Sequence, residues 1–180
     1  MREIEWKVLS ELMKNSKLSD RELARKLGSS QPTVTRTRRR LEEKGYIKEY
    51  TIIPDFEKLG FELLAVTFIK LNKMLNAEEV EEAKKTSLAR AKEGSRIGPF
   101  EVIMAERGLG LGYSGIFISL HDDYASYLKL QEWFRQIPFV EISEVESFLV
   151  NLKDEIRYYP LSFANLAKYL LKLKEKKKKE

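Results

Sequence analysis

No cysteine occurs in these 180 residues, and histidine occurs once, as His121. The first absence removes disulfides, thiolate nucleophiles and cysteine zinc sites, and the second leaves no imidazole cluster for another metal. No metal or organic cofactor is expected. Nor is there an apolar run of the ~20 residues that a membrane-spanning helix needs. The opening MREIEWKVLSELMK is charged throughout, unlike a secretory signal. The expectation is a soluble, cytoplasmic protein that does not enter a membrane.

What is present is charge, and it is segregated. Residues 1–50 hold 13 Lys and Arg against 8 Asp and Glu, residues 51–150 hold 11 against 16, and residues 151–180 hold 9 against 4. The net +5 therefore hides two basic ends around an acidic middle. Such asymmetry points to a polyanionic partner for the ends.

Helical spacing of Ile4, Val8, Leu9 and Leu12 predicts a first amphipathic helix over 3–14. SDRELARKLG predicts a second, opened by a Ser19/Glu22 capping box and closed by Gly28. Ser30 caps a third that tolerates Pro32 in its first turn and ends at Gly45. Residues 46–53 are β-prone up to Pro54, and LLAVTFIKL (63–71) reads as a buried strand. A helix from the Asn76/Glu79 cap to about Glu93 follows, its buried side being Val80, Ala83, Leu88 and Ala91. Gly94, Gly98 and Pro99 break the chain. Strands at 101–106 and 114–120, a helix opened by Asp122 or Asp123 and ended by Pro138, and a strand at 142–150 complete the order β-α-β-β-α-β. That order predicts an α+β chain whose body is a ferredoxin-like sheet with both helices on one face. The other face calls for a partner subunit. In the tail, Leu166, Leu170 and Leu173 share a stripe, approached by Leu161 and Phe163, and predict a docked helix before a lysine-rich end. The expected division is 1–45 as a helix-turn-helix domain, 46–61 as a β-strand hinge, 62–150 as the ferredoxin-like dimerisation and sensing domain, and 151–180 as C-terminal helix and tail.

The head has helix-turn-helix spacing, with small Ala24 where the helices cross, Gly28 in the turn, and Val34, Thr37 and Leu41 on the inner face of the third helix. The segment Gln31 to Arg40, QPTVTRTRRR, then divides by periodicity. Gln31, Thr33, Thr35, Arg36, Arg39 and Arg40 fall outward, and Arg38 lies near the inner edge. Ser30 counts with this DNA-binding set, and the first turns would enter the major groove, where Gln suits adenine, Arg suits guanine and a Thr methyl suits thymine. Arg39, Arg40 and Lys44 would grip phosphates. A merely solvated basic face and a protein-docking module remain the alternatives.

The stretch LSDRELARKLGSSQPTVTRTRRRLEEKGYIKEYTIIPDFEKLGF, followed by the β-α-β-β-α-β body, resembles the leucine-responsive/asparagine-regulator family (Lrp/AsnC, or feast/famine regulators) over residues 1 to about 150. The resemblance implies a transcription regulator that binds double-stranded DNA, forms homodimers or larger homo-oligomers through its sheets, and responds to an amino acid or related small molecule. Between its second and third body strands the family has a short Gly turn and an Asp. This chain has GLGLGYSG there, with Ser114 or Gly115 in the Asp place, which makes Gly110, Gly112, Tyr113 and Ser114 the candidate effector contacts. A rival reading is an enzyme on the same architecture, since haem-pathway decarboxylases share this fold.

Two motifs invite other readings. The glycines of GLGLGYSG precede a strand, IFISL, whereas a dinucleotide fingerprint precedes a helix, so a flexible hairpin is expected. His121 lies beside Asp122 and Asp123 at a strand-helix junction and, with no nucleophile in sight, is expected to cap or to sit at the surface.

Overall fold

The computed structural model describes residues 1–73, 76–82, 85, 100–136, 141–156, 158 and 161–176, with side chains through residue 171. The chain divides into two compact units, Met1–Ile53 with Tyr158–Glu180, and Pro54–Arg157. The returning C-terminal segment thus belongs with the head rather than forming a separate tail.

In the first unit, helices α1 (Glu3–Lys14), α2 (Asp20–Leu27) and α3 (Gln31–Glu43) form where the caps predict. Ser19 Oγ accepts from Glu22 N at 3.2 Å while Glu22 Oε2 accepts from Ser19 N at 2.7 Å, so two orphan N–H groups are satisfied reciprocally. Gly28 closes α2 at φ +61, a left-handed conformation that a side chain disfavours. Val8, Leu12, Leu23, Ala24, Val34 and Leu41 form the core, with Ile4, Leu9, Leu18, Leu27 and Ile47 packed against it. Helix α6 (Ala164–Lys176) docks on α1, and the contact is polar at its centre, since Ser10 Oγ donates to Ala167 O at 2.8 Å with both residues fully buried.

That contact corrects the expected stripe of α6. Leu161, Phe163 and Leu166 are exposed, Leu170 of the expected stripe is half-buried, and Ala167 faces α1. A small side chain lets the two backbones approach closely enough for a hydroxyl to reach a carbonyl, which a leucine at that point would prevent. Leu173 lies beyond the described side chains.

The second unit is a four-stranded antiparallel sheet of β1 (Leu63–Leu71), β2 (Glu101–Gly110), β3 (Tyr113–His121) and β4 (Ile142–Asn151), in spatial order β2-β3-β1-β4. This is the ferredoxin-like order. Residues 77–82 are helical (α4), opened by the predicted cap, with Glu79 N donating to Asn76 Oδ1 at 2.9 Å and Asn76 N to Glu79 Oε2 at 2.8 Å. Val80 is half-buried, whereas Ala83, Leu88, Ala91, Glu93, Gly94, Gly98, Pro99 and Pro138 lie outside the described residues. Helix α5 (Tyr124–Gln136) opens at Asp123, whose Oδ1 accepts from Ser126 N at 2.7 Å. Leu130 and Phe134 of α5 join Phe100 and Phe117 in the core. Phe148 and Val150 are exposed by the alternation of β4, and Met104 is exposed within a run of exposed residues in β2.

Two further expectations are corrected. Residues 46–53 form no strand. A β-prone sequence needs a neighbouring ladder for its N–H and C=O groups, and among the described residues none pairs with it. Instead Tyr46 N and Ile47 N both turn back to Leu41 O, and Ile47 joins the head core. His121 neither caps nor lies at the surface. It is fully buried, its Nε2 2.8 Å from Ser119 Oγ and its Nδ1 3.3 Å from Ser126 Oγ, with Phe100 and Tyr127 against the ring. Strand parity decides this, because Phe117, Ser119 and His121 share one buried side of β3.

Candidate nucleic-acid interface

Helix α3 starts from a cap in which Ser30 Oγ accepts from Thr33 N at 3.4 Å and lies 2.8 Å from Thr33 Oγ1. Its first turn contains no acidic residue, so no side chain of that turn offsets the positive end of the helix dipole. Val34, Thr37 and Leu41 are buried as the spacing requires. Thr37 is accommodated because its hydroxyl donates to Thr33 O at 2.7 Å, which leaves only a methyl to pack.

On the opposite side, Gln31, Pro32, Thr35 and Arg36 line one open concavity. These four residues of QPTVTRTRRR therefore share a single surface. Arg36 Nε donates to Pro32 O at 3.3 Å, which draws the guanidinium stem along the helix. Thr35 Oγ1 lies 2.6 Å from Asp20 Oδ2 of α2.

The three remaining arginines differ in what holds them. Arg39 pairs with Glu43 at 2.8 Å, both well exposed. Arg38 is held at the inner edge, its Nη2 donating to Leu18 O at 2.6 Å and its Nε 2.8 Å from Asp20 Oδ1 as a charge contact rather than an aligned hydrogen bond. Tyr50 lies over the Arg38 guanidinium, 5.8 Å from Cζ to ring centroid, and donates its hydroxyl to Glu42 Oε1 at 2.7 Å. Burial and Glu42 push the Tyr50 hydroxyl up to about 12, so it stays a donor. Arg40 Nε lies 3.3 Å from Glu5 Oε1, and that carboxylate side chain is only 4% exposed. Burial alone would raise the Glu5 pKa, but the Arg2 N–H at 2.6 Å and the Arg2 and Arg40 guanidinium groups bring it below the usual range.

Glu5 and Asp20 are the residues that sequence reasoning missed. Periodicity assigns both to helix faces, and a buried or bridging carboxylate has no sequence signature apart from the arginines that neutralise it.

The candidate effector residues are only partly brought together. Gly110 pairs with Tyr113 across a two-residue turn formed by Leu111 and Gly112 at φ +52 and +82, so the glycine-rich stretch is a tight hairpin. Gly110 and Tyr113 line a pocket of about 160 Å³ with Phe68, Leu109 and Ile116. Ser114 turns away, its Oγ accepting from Leu71 N at 2.9 Å. The pocket is smaller than the roughly 300 Å³ at which ligand sites begin.

Residues 1–48 match the model of the winged helix-turn-helix DNA-binding family. The HTH-type transcriptional regulator LrpC of Bacillus subtilis is 48% identical over 58 residues, 32% of this chain and 40% of LrpC. The chain spans about half the length of the curated relatives it matches. Escherichia coli AsnC superposes with a TM-score of 0.62 at 23% identity, over 89% of this chain and 97% of AsnC. The family match covers the head, and the likeness to AsnC over the whole chain is one of fold. A transcriptional regulator of Neisseria meningitidis, solved as a complex with L-Met, shares the Lrp/AsnC fold at a TM-score of 0.67 and 18% identity, over 92% of this chain and 99% of its own. Among the described residues, no helix is long and apolar enough to cross a membrane.

Proposed function

We propose that this protein is a sequence-specific DNA-binding transcription regulator, acting in the cytoplasm as a homodimer or larger homo-oligomer and not as an enzyme. The observation that carries this reading is the concavity of Gln31, Pro32, Thr35 and Arg36 on a capped helix whose first turn bears no acid. Gln31 and Arg36 present the amide and guanidinium that pair bidentately with adenine and guanine. Ser30, Thr33 and the positive helix end meet the backbone at the entry point, and Arg39 and Lys44 meet phosphates further along. Arg40 is divided between two roles, since its Nε serves Glu5 while its side chain is 42% exposed. The apolar sheet face at Met104, Phe148 and Val150 supports a second copy as partner. His121, the one imidazole, is sealed between two serines, an arrangement unsuited to proton exchange with a substrate. An amino acid is the effector class that the Neisseria complex suggests, and the 160 Å³ hairpin pocket would need walls from another subunit to enclose one.

The test is selection of duplexes from a random-sequence pool by the purified full-length protein, followed by titration at several salt concentrations. A preferred sequence and an affinity that falls linearly on a log-log salt plot are expected. Absence of sequence preference, or indifference to salt, overturns the reading. Within it, Arg36→Ala relaxes preference at one base position, whereas Arg39→Ala weakens all duplexes alike and reduces the salt slope by about one unit.

A further inference from the structure

The hydroxyl of Thr35 is already engaged within the protein. It has one proton to give, and two acceptors compete for it, Asp20 Oδ2 at 2.6 Å and Gln31 O one turn back at 3.1 Å. The shorter, charge-assisted contact takes it. Asp20 is itself fixed, because its Oδ1 faces Arg38 Nε at 2.8 Å, and Arg38 is tethered to Leu18 O and covered by Tyr50. Arg38 also offsets the Asp20 charge, which would otherwise repel a nearby phosphate. Both distances hold in one χ1 rotamer, the one in which a helical threonine bonds the carbonyl one turn back, so the bond to Asp20 reinforces that rotamer over its alternative and with it the direction of the methyl.

We infer that Asp20 is a positioning residue that turns Thr35 into a methyl reader, making the 5-methyl of a thymine in the major groove the group recognised at that point of the concavity. This rests on the DNA-binding reading above and specifies one of its contacts. Neither residue acts alone, since Thr35 supplies the methyl while the Asp20–Arg38 pair on α2 and α3 holds it in place.

A duplex that the purified full-length protein has selected from a random pool is resynthesised with each thymine in turn replaced by uracil, which removes only the 5-methyl. The wild-type protein loses about fourfold in affinity at one such position, the size of one buried methyl contact. Thr35→Ser keeps the hydroxyl and its tether but has no methyl, and binds the thymine and uracil duplexes equally there. Asp20→Ala leaves Gln31 O alone to hold the rotamer and lowers the thymine-to-uracil affinity ratio, while Asp20→Asn, which still accepts from the hydroxyl, restores most of it. The ratio is taken within one protein, so a general loss of affinity or stability from unpairing Arg38 leaves it unchanged. Should Asp20→Ala fail to fold, Asp20→Leu, close in size and unable to accept the hydroxyl, replaces it, and a full ratio retained there likewise overturns the inference. Wild-type indifference to uracil at every position, or a full ratio retained in Thr35→Ser or Asp20→Ala, overturns the inference. Failure to select any duplex refutes the DNA-binding reading instead.

Discussion

Replacing Arg40 by alanine removes more than a phosphate contact. Glu5 is 3% exposed, and its carboxylate is held by Arg2 on one side and by Arg40 across the α1–α3 contact. Removing one partner of a fully buried pair costs about 3–5 kcal/mol, and exposed pairs contribute about 0–1. Here the carboxylate is buried but Arg40 is 42% exposed and Arg2 remains, so the loss should fall between these limits, at about 1–2 kcal/mol. Arg39→Ala is the control, because its partner Glu43 is exposed and the expected change is within about 0.5 kcal/mol. Urea unfolding at pH 7 and at a series of lower pH values measures both. Because the folded-state pKa of Glu5 is depressed, its contribution is complete above the unfolded carboxylate pKa and is lost as pH falls through the folded value. The Arg40→Ala penalty should therefore shrink as pH falls through the folded value of Glu5, below which a protonated carboxyl no longer needs a cation. Arg40→Ala behaving like Arg39→Ala at pH 7, or a penalty independent of pH, would refute the structural role of Arg40.

Burial pushes the His121 pKa down against the opposing pull of Ser126, Asp122 and Asp123, so the imidazole folds neutral. The unfolded chain then binds the extra proton, and stability should fall as pH drops below about 6.5 towards the folded value. His121→Gln should flatten that limb of a stability-pH curve, and an unchanged limb would count against burial as the cause. Ala167→Leu forces a large side chain into the α1–α6 contact and should cost about 1–3 kcal/mol. Limited proteolysis should then release the C-terminal segment sooner than in the wild type, and equal cleavage rates would mean that α6 is not held there.

The head was legible because its signals are local. Ser19, Glu22, Gly28 and Ser30 satisfy or terminate helices within four residues of their own positions, and each did so where the sequence placed it. The sheet was legible as an order of elements, since LLAVTFIKL has the apolar continuity of a central strand and GLGLGYSG the glycines of a turn. Residues 46–53 misled for the complementary reason, because β propensity describes a residue's fit to a ladder without supplying the ladder.

The sequence by itself determined the three capped helices, their inner face of Val34, Thr37 and Leu41, the β-α-β-β-α-β order, and the outward set from Gln31 to Arg40. All of these follow from periodicity and from caps that act over a few residues. Only the tertiary structure decided that Asp20 holds Thr35 and Arg38, that Arg40 answers Glu5, that Ala167 rather than Leu166 meets α1, and that His121 lies inside. Those pairings join residues from different elements, up to 157 positions apart in the case of Ser10 and Ala167. A hydrogen bond or ion pair depends on a few ångströms of distance, and packing fixes that distance.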